Sequence, residues 1–137
     1  LALRDPWPQL AVGWAAARPH LERLVRRCRP DAVFAHHTAV SGVLAWHLRR
    51  RLGVPYVVAD YDFDEVRACG DFPRRRRAVA RVAAGASAVV AASSPMERLF
   101  RELVPGAPAV TVHHGTEPAP PRRARGDGRV VVFCAAM

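Results

Sequence analysis

The sequence predicts an α/β domain, a doubly wound parallel sheet, and three observations point to it. Short apolar and β-branched runs at residues 31–35, 56–58, 86–92 and 109–112 read as buried strands. Amphipathic stretches of helix length separate them, which is the spacing of βαβ units with crossovers and not of hairpins. The chain has 137 residues, 50% of them hydrophobic, enough for one core and too few for two ordinary domains.

The elements follow in order. Leu10, Trp14, Ala17, Leu21, Leu24 and Cys28 recur in steps of four and three and define one helical stripe, with Pro19 expected to kink it or start its second half. The first strand, 31–35, lies behind Pro30. Residues 38–52 then form a helix with Val40, Val43, Leu44, Leu48 and Leu52 on one broad face. Gly53 stops that helix, Pro55 restarts the chain, and Tyr56, Val57 and Val58 lead a second strand to Asp60. Residues 60–73 carry Asp60, Asp62, Asp64, Glu65 and Asp71 and read as a functional loop before a basic helix at 74–84. After the third strand, Ser94 and Glu97 have the spacing of a capping box, with Pro95 at the first helical position. Met96, Leu99, Phe100, Leu103 and Val104 form this helix's apolar face, Pro105 and Gly106 end it, and 109–112 supplies the fourth strand. Residues 116–128 hold Pro118, Pro120 and Pro121 without periodicity and read as a linker; 130–133 begins a new strand. The chain is read as a fragment, with residues 1–115 in one domain.

Charge narrows the chemistry. The 21 basic residues outnumber 12 acidic ones, and every basic residue is an arginine. Without lysine the chain has neither a Walker A loop nor a Schiff-base nucleophile. It also lacks the G-x-S-x-G elbow and the G-x-G-x-x-G dinucleotide turn. Cys28, Cys69 and Cys134 are scattered and odd in number, which favours a reducing, cytoplasmic setting over a disulfide framework. No window approaches the roughly 18–20 apolar residues of a spanning helix. The arginine clusters at 49–51, 74–77 and 122–125 suit an anionic membrane surface, placing the protein peripherally on its inner face. Nucleic acid is not expected, because Trp7, Trp14 and Trp46 sit on apolar helical stripes and are not interleaved with arginine as stacking platforms would be.

In an open parallel sheet, ligands bind outside the carboxyl ends of the strands, where helix N-termini and loops converge. Here those ends carry His36 and His37, then Asp60, Tyr61 and Asp62, then Ser93 and Ser94, then His113, His114 and Gly115. Four polar strand ends on one edge predict a cleft. A metal site is not expected, because adjacent histidines on an extended strand point to opposite faces.

The segments at 29–37 (RPDAVFAHH), 41–45 (SGVLA) and 51–58 (RLGVPYVV) resemble the N-terminal domain of family 4 glycosyltransferases of GT-B fold. Residues 86–93 (ASAVVAAS) are similar to that family's strand before a helix, 110–117 (VTVHHGTE) to the end of its first domain, and 130–137 to the first strand of its C-terminal, donor-binding domain. The resemblance implies two Rossmann-like domains facing a cleft, with the acceptor in the N-terminal one and a nucleotide-sugar donor in the other. It implies retaining, hexosyltransferase-type sugar transfer with no metal and no cofactor besides the donor. This chain would be the later part of the acceptor-side domain, inactive alone, with 116–128 between the domains and 129–137 opening the second. Asp60 and Asp62 would orient or deprotonate the acceptor hydroxyl, and His36, His37, Tyr61, Ser93, His113 and Gly115 would bind the acceptor. Asp60, Tyr61 and Asp62 stand where the family often has a His-Gly pair, and Ala135 and Ala136 where Gly and Arg are usual. A competing reading is a non-catalytic basic α/β module that docks on anionic lipid or nucleic acid.

Overall fold

Strands β1 (Val33–His36), β2 (Tyr56–Asp60), β3 (Ala88–Ala91) and β4 (Ala109–Thr111) form one parallel sheet in the order β1-β2-β3-β4. The structure, a computed structural model, describes residues 7–61 and 72–113, with side chains from residue 11. Helix α1 (Trp7–Cys28) precedes β1, α2 (Gly42–Leu52) joins β1 to β2, α3 (Pro73–Gly85) precedes β3, and α4 (Ser94–Leu103) joins β3 to β4. The expected α/β class with its parallel sheet and crossover helices is the architecture observed.

Alternation along the strands sets the core. Ala35, Tyr56, Val58, Val89, Ala91 and Ala109 pack with Ala45 of α2, Val79, Val82 and Ala83 of α3, and Met96 and Phe100 of α4 in one buried cluster. The residues between them face the opposite side, where Phe34 and Val110 stay 55% and 47% exposed. Small residues on the strands let the helices sit close. Gly42, the first residue of α2, shows this most sharply: a Cβ there would lie 2.8 Å from Val82 Cγ1 and 3.3 Å from Val58 Cγ2. Gly53 closes the same helix in the left-handed region (φ 77°), donating its N–H to the Arg49 carbonyl at 2.9 Å.

Several local expectations are corrected. The helix read at 38–52 is two elements, a π-helical turn His37–Ser41 followed by α2. Helix α1 runs from Trp7 to Cys28 with Pro19 inside it, so the proline does not start a second helix; the Arg23 side chain donates to the Pro19 carbonyl at 3.3 Å. The capping residue of α4 is Ser93, not Ser94. The Ser93 backbone is extended, its hydroxyl accepts from the Met96 N–H at 3.4 Å, and its carbonyl accepts from the Glu97 N–H at 3.0 Å. Glu97 does not close a capping box because its carboxylate is taken from the other side, by the Thr111 hydroxyl of β4 and by Arg101 at 2.8 Å. The Thr111 hydrogen bond, aided by Arg101, holds Glu97 below the usual carboxylate range.

Helix α1 is fastened to α2 and its turn by Trp14, 5% exposed, whose Nε1 donates to the Val40 carbonyl at 2.9 Å, and by Glu22 with His47 at 2.8 Å. That hydrogen bond, with Arg51 and Arg26 nearby, pulls the Glu22 carboxyl down.

Tyr56 places a polar group in the core. It is fully buried, and its hydroxyl donates to the Val82 carbonyl at 2.5 Å. Desolvation pushes its phenol up from 10.0 to about 12. Between those values the unfolded chain releases a proton that the folded chain keeps, so stability is full below pH 10 and declines toward about pH 12. Tyr56→Phe is expected to cost ~1–2 kcal/mol at neutral pH through the lost hydrogen bond and to flatten that alkaline decline. Urea unfolding at stepped pH checks both; an unchanged alkaline slope in the variant rules this assignment out.

Candidate functional site

The carboxyl edge of the sheet gathers the residues singled out from the sequence. His36 ends β1 and is in register with Ala59, so Asp60 projects one residue further along the neighbouring strand. The chain must turn sharply after His36 to return as α2. It does so at His37, which adopts the left-handed region (φ 67°), a conformation that costs a non-glycine residue about 1–2 kcal/mol. Five residues then wind as a π-helical turn, closed by the Gly42 N–H donating to the His37 carbonyl. The Ser41 hydroxyl donates to the His36 carbonyl inside this turn.

The turn is held from β2. The Asp60 carboxylate is fully buried, and its Oδ2 accepts from both the Thr38 N–H at 3.0 Å and the Thr38 hydroxyl at 2.6 Å. Its other oxygen, Oδ1, lies 3.9 Å from His37 Nδ1. Two donors from one residue fix the carboxylate plane, and the carboxylate faces the imidazole. The His37 side chain is 44% exposed while that of Asp60 is 0% exposed. A buried carboxylate behind an accessible imidazole fixes the ring's orientation.

His36 and His37 diverge. The His36 ring meets Phe34 edge-on at 5.0 Å between centroids and Tyr61 at 5.5 Å. His37 turns instead toward Asp60. The site therefore has an apolar, aromatic side made by Phe34, His36 and Tyr61 and a hydrogen-bonding side made by His37 and Asp60. An aromatic wall beside hydrogen-bonding groups suits a polyhydroxylated ligand with apolar C–H faces.

Of the residues read from the sequence, the structure brings His36 to Tyr61 and His37 to Asp60. Asp60, read as orienting or deprotonating the acceptor hydroxyl, is buried, with Oδ2 engaged by Thr38 and Oδ1 toward His37. Ser93 and His113 occupy the same edge at the ends of β3 and β4, roughly 10 and 14 Å across the sheet from β1 at the ordinary strand spacing. The Ser93 hydroxyl is engaged as the α4 cap, and His113 is exposed just past β4. Asp62 and Gly115 lie outside the described residues, as do the linker at 116–128 and the strand read within 129–137. Thr38 was missed by the sequence reading. A threonine at the start of a helical run carries no signal of its own; its role appears only when a residue 22 positions later is placed against it. Among the described residues there is no cluster of three or more His, Cys, Asp or Glu residues suited to a metal ion, and no helix long and apolar enough to cross a membrane.

Comparison with known proteins adds the family. No curated protein and no solved structure matches the chain. The family model of the glycosyl transferase 4-like domain matches residues 2–116, from before α1 to just past β4. That span contains the whole sheet and every described residue of the site, and the chain belongs to the glycosyl transferase 4-like family.

Proposed function

We propose that this domain holds the acceptor while a sugar is transferred to it, with retention, from a nucleotide-sugar donor bound by another part of the parent protein. The observation that carries this is an accessible His37 backed by the buried Asp60 at the carboxyl edge of a parallel sheet, in a member of a glycosyltransferase family. His37 accepts a hydrogen bond from the acceptor hydroxyl and aims its oxygen at the sugar. Asp60, buried behind it, keeps the imidazole oriented. As the bond between the sugar's anomeric carbon and the diphosphate breaks, the bond to the acceptor oxygen forms, and the hydroxyl proton leaves with the diphosphate. Phe34, His36 and Tyr61 supply the surface on which the acceptor rests. Asp62, Ser93, His113 and Gly115 are assigned to the acceptor side of the same cleft.

The test uses the parent protein with a panel of UDP-, GDP- and ADP-sugars. Acceptor-dependent release of a nucleoside diphosphate, with the donor's anomeric configuration kept in the product by NMR, is the expected result. A product of inverted configuration would overturn retention. Absence of diphosphate release with every donor would favour the non-catalytic binding module.

A further inference from the structure

Helix α1 carries an exposed face that its own packing leaves unused. Trp14 and Val25 are its buried anchors, while Ala11, Val12, Gly13, Ala15 and Ala16 in its first half are exposed, Val12 at 71%. A soluble helix normally puts charged residues on that face; this half has none until Arg18. Across a cavity of about 260 Å³ lined by Ala11, Trp14, Arg18, Trp46, Ala78 and Arg81 lies α3. Arg74, Arg77 and Arg81 recur there at helical spacing and are all exposed. No carboxylate of a described residue pairs with Arg18, Arg74, Arg77 or Arg81. Guanidinium groups in a row, with no carboxylate partner among the described residues, repel one another, and the arrangement is relieved by a surface of fixed negative charge.

We infer that the first half of α1 and the arginine row of α3 form a docking surface for an anionic lipid bilayer. The arginines meet lipid phosphates, to which the guanidinium fork is matched, while Val12 and the neighbouring alanines enter the boundary between headgroups and acyl chains. The chemistry distinguishes a bilayer from a nucleic acid. Among the described side chains of this surface, the rings that would stack on bases are not offered: Trp14 is buried and Trp46 is covered by Arg50, 5.4 Å above its ring. The site at the carboxyl edge of the sheet plays no part in this inference, which stands whether or not the transferase reading does.

The experiment is co-sedimentation of the full chain with vesicles of phosphatidylcholine alone or mixed equally with phosphatidylglycerol, with circular dichroism confirming the fold of each variant. Binding is expected to the mixed vesicles only, and to weaken as salt is raised. The triple variant R74Q/R77Q/R81Q should lose about 100-fold in partition coefficient, roughly fivefold for each of the three charges removed near an anionic surface. Val12→Asp, a change at a 71% exposed position and therefore safe for folding, should lose at least about tenfold. The matched triple R23Q/R26Q/R27Q in the C-terminal half of α1 should lose less than tenfold. Equal loss in both triple variants, equal binding to uncharged vesicles, no effect of Val12→Asp, or no binding to the mixed vesicles would each overturn the inference. Tighter binding to single-stranded DNA than to the mixed vesicles would reassign the arginine row to nucleic acid and overturn it as well.

Discussion

Asp60→Ala is expected to destabilise the domain by about 2–4 kcal/mol and to reduce transfer by the parent protein at least as much as loss of His37 does. The stability cost comes from the two Thr38 donors. Both the N–H and the hydroxyl are buried, both point at Asp60 Oδ2, and alanine leaves them with no acceptor in a space too enclosed for easy rehydration. The functional cost comes from His37, which loses the anion 3.9 Å behind its Nδ1. Asp60→Asn separates the two contributions. The amide keeps one oxygen for Thr38, so most of the stability should return, but the charge is gone and transfer should stay low. Chemical unfolding and steady-state kinetics on the same preparations check this. Full recovery of kcat/KM in Asp60→Asn would show that the aspartate acts only as a clamp on the turn. An Asp60→Ala variant as stable as the parent would show that Thr38 finds another acceptor and that the turn does not depend on β2.

The dependence of the site on that long-range contact explains which parts were legible from sequence. The four strands could be read because each is a short apolar run between turn signals, and the crossover helices because Val79 and Val82, or Met96 and Phe100, recur at helical spacing. These are local patterns, and burial simply ratifies them. The strand ends could be read as a polar edge for the same reason. What could not be read is how the edge is wired. The π-helical turn is a compromise between a left-handed His37, a Gly42 forced close to Val82, and a carboxylate arriving from the next strand. No window of sequence contains all three. Asp60 and His37 were both singled out, but as independent contacts for the acceptor; that one stands behind the other follows from Asp60 sharing the helix-side face with Tyr56 and Val58, which only the sheet reveals. The Ser93 cap was misplaced by one residue for a related reason, because Thr111 of β4 competes for Glu97.

His37→Ala is expected to lower kcat/KM for transfer about 100-fold, with little change in stability. His37 aims the acceptor oxygen, and misplacing a reacting atom by about 1 Å costs about 100-fold, which corresponds to ~2.7 kcal/mol. The alanine keeps a Cβ, so the left-handed backbone at φ 67° stays as costly as before. Glycine removes that cost. Against the roughly 1–2 kcal/mol of left-handed strain, glycine loses about 0.5–1 kcal/mol of unfolded-chain entropy, so His37→Gly should be more stable than the unsubstituted protein by up to ~1.5 kcal/mol. It should be as poor a transferase as His37→Ala. Glycine is the residue the turn prefers, and a histidine there at a stability cost is what a functional imidazole predicts. Thermal and urea unfolding of the three proteins, with kcat and KM for each, decide the matter. A glycine variant that transfers normally would reduce His37 to an ordinary turn residue, and a glycine variant less stable than the parent would show that the imidazole contributes to folding through Asp60 more than its backbone costs.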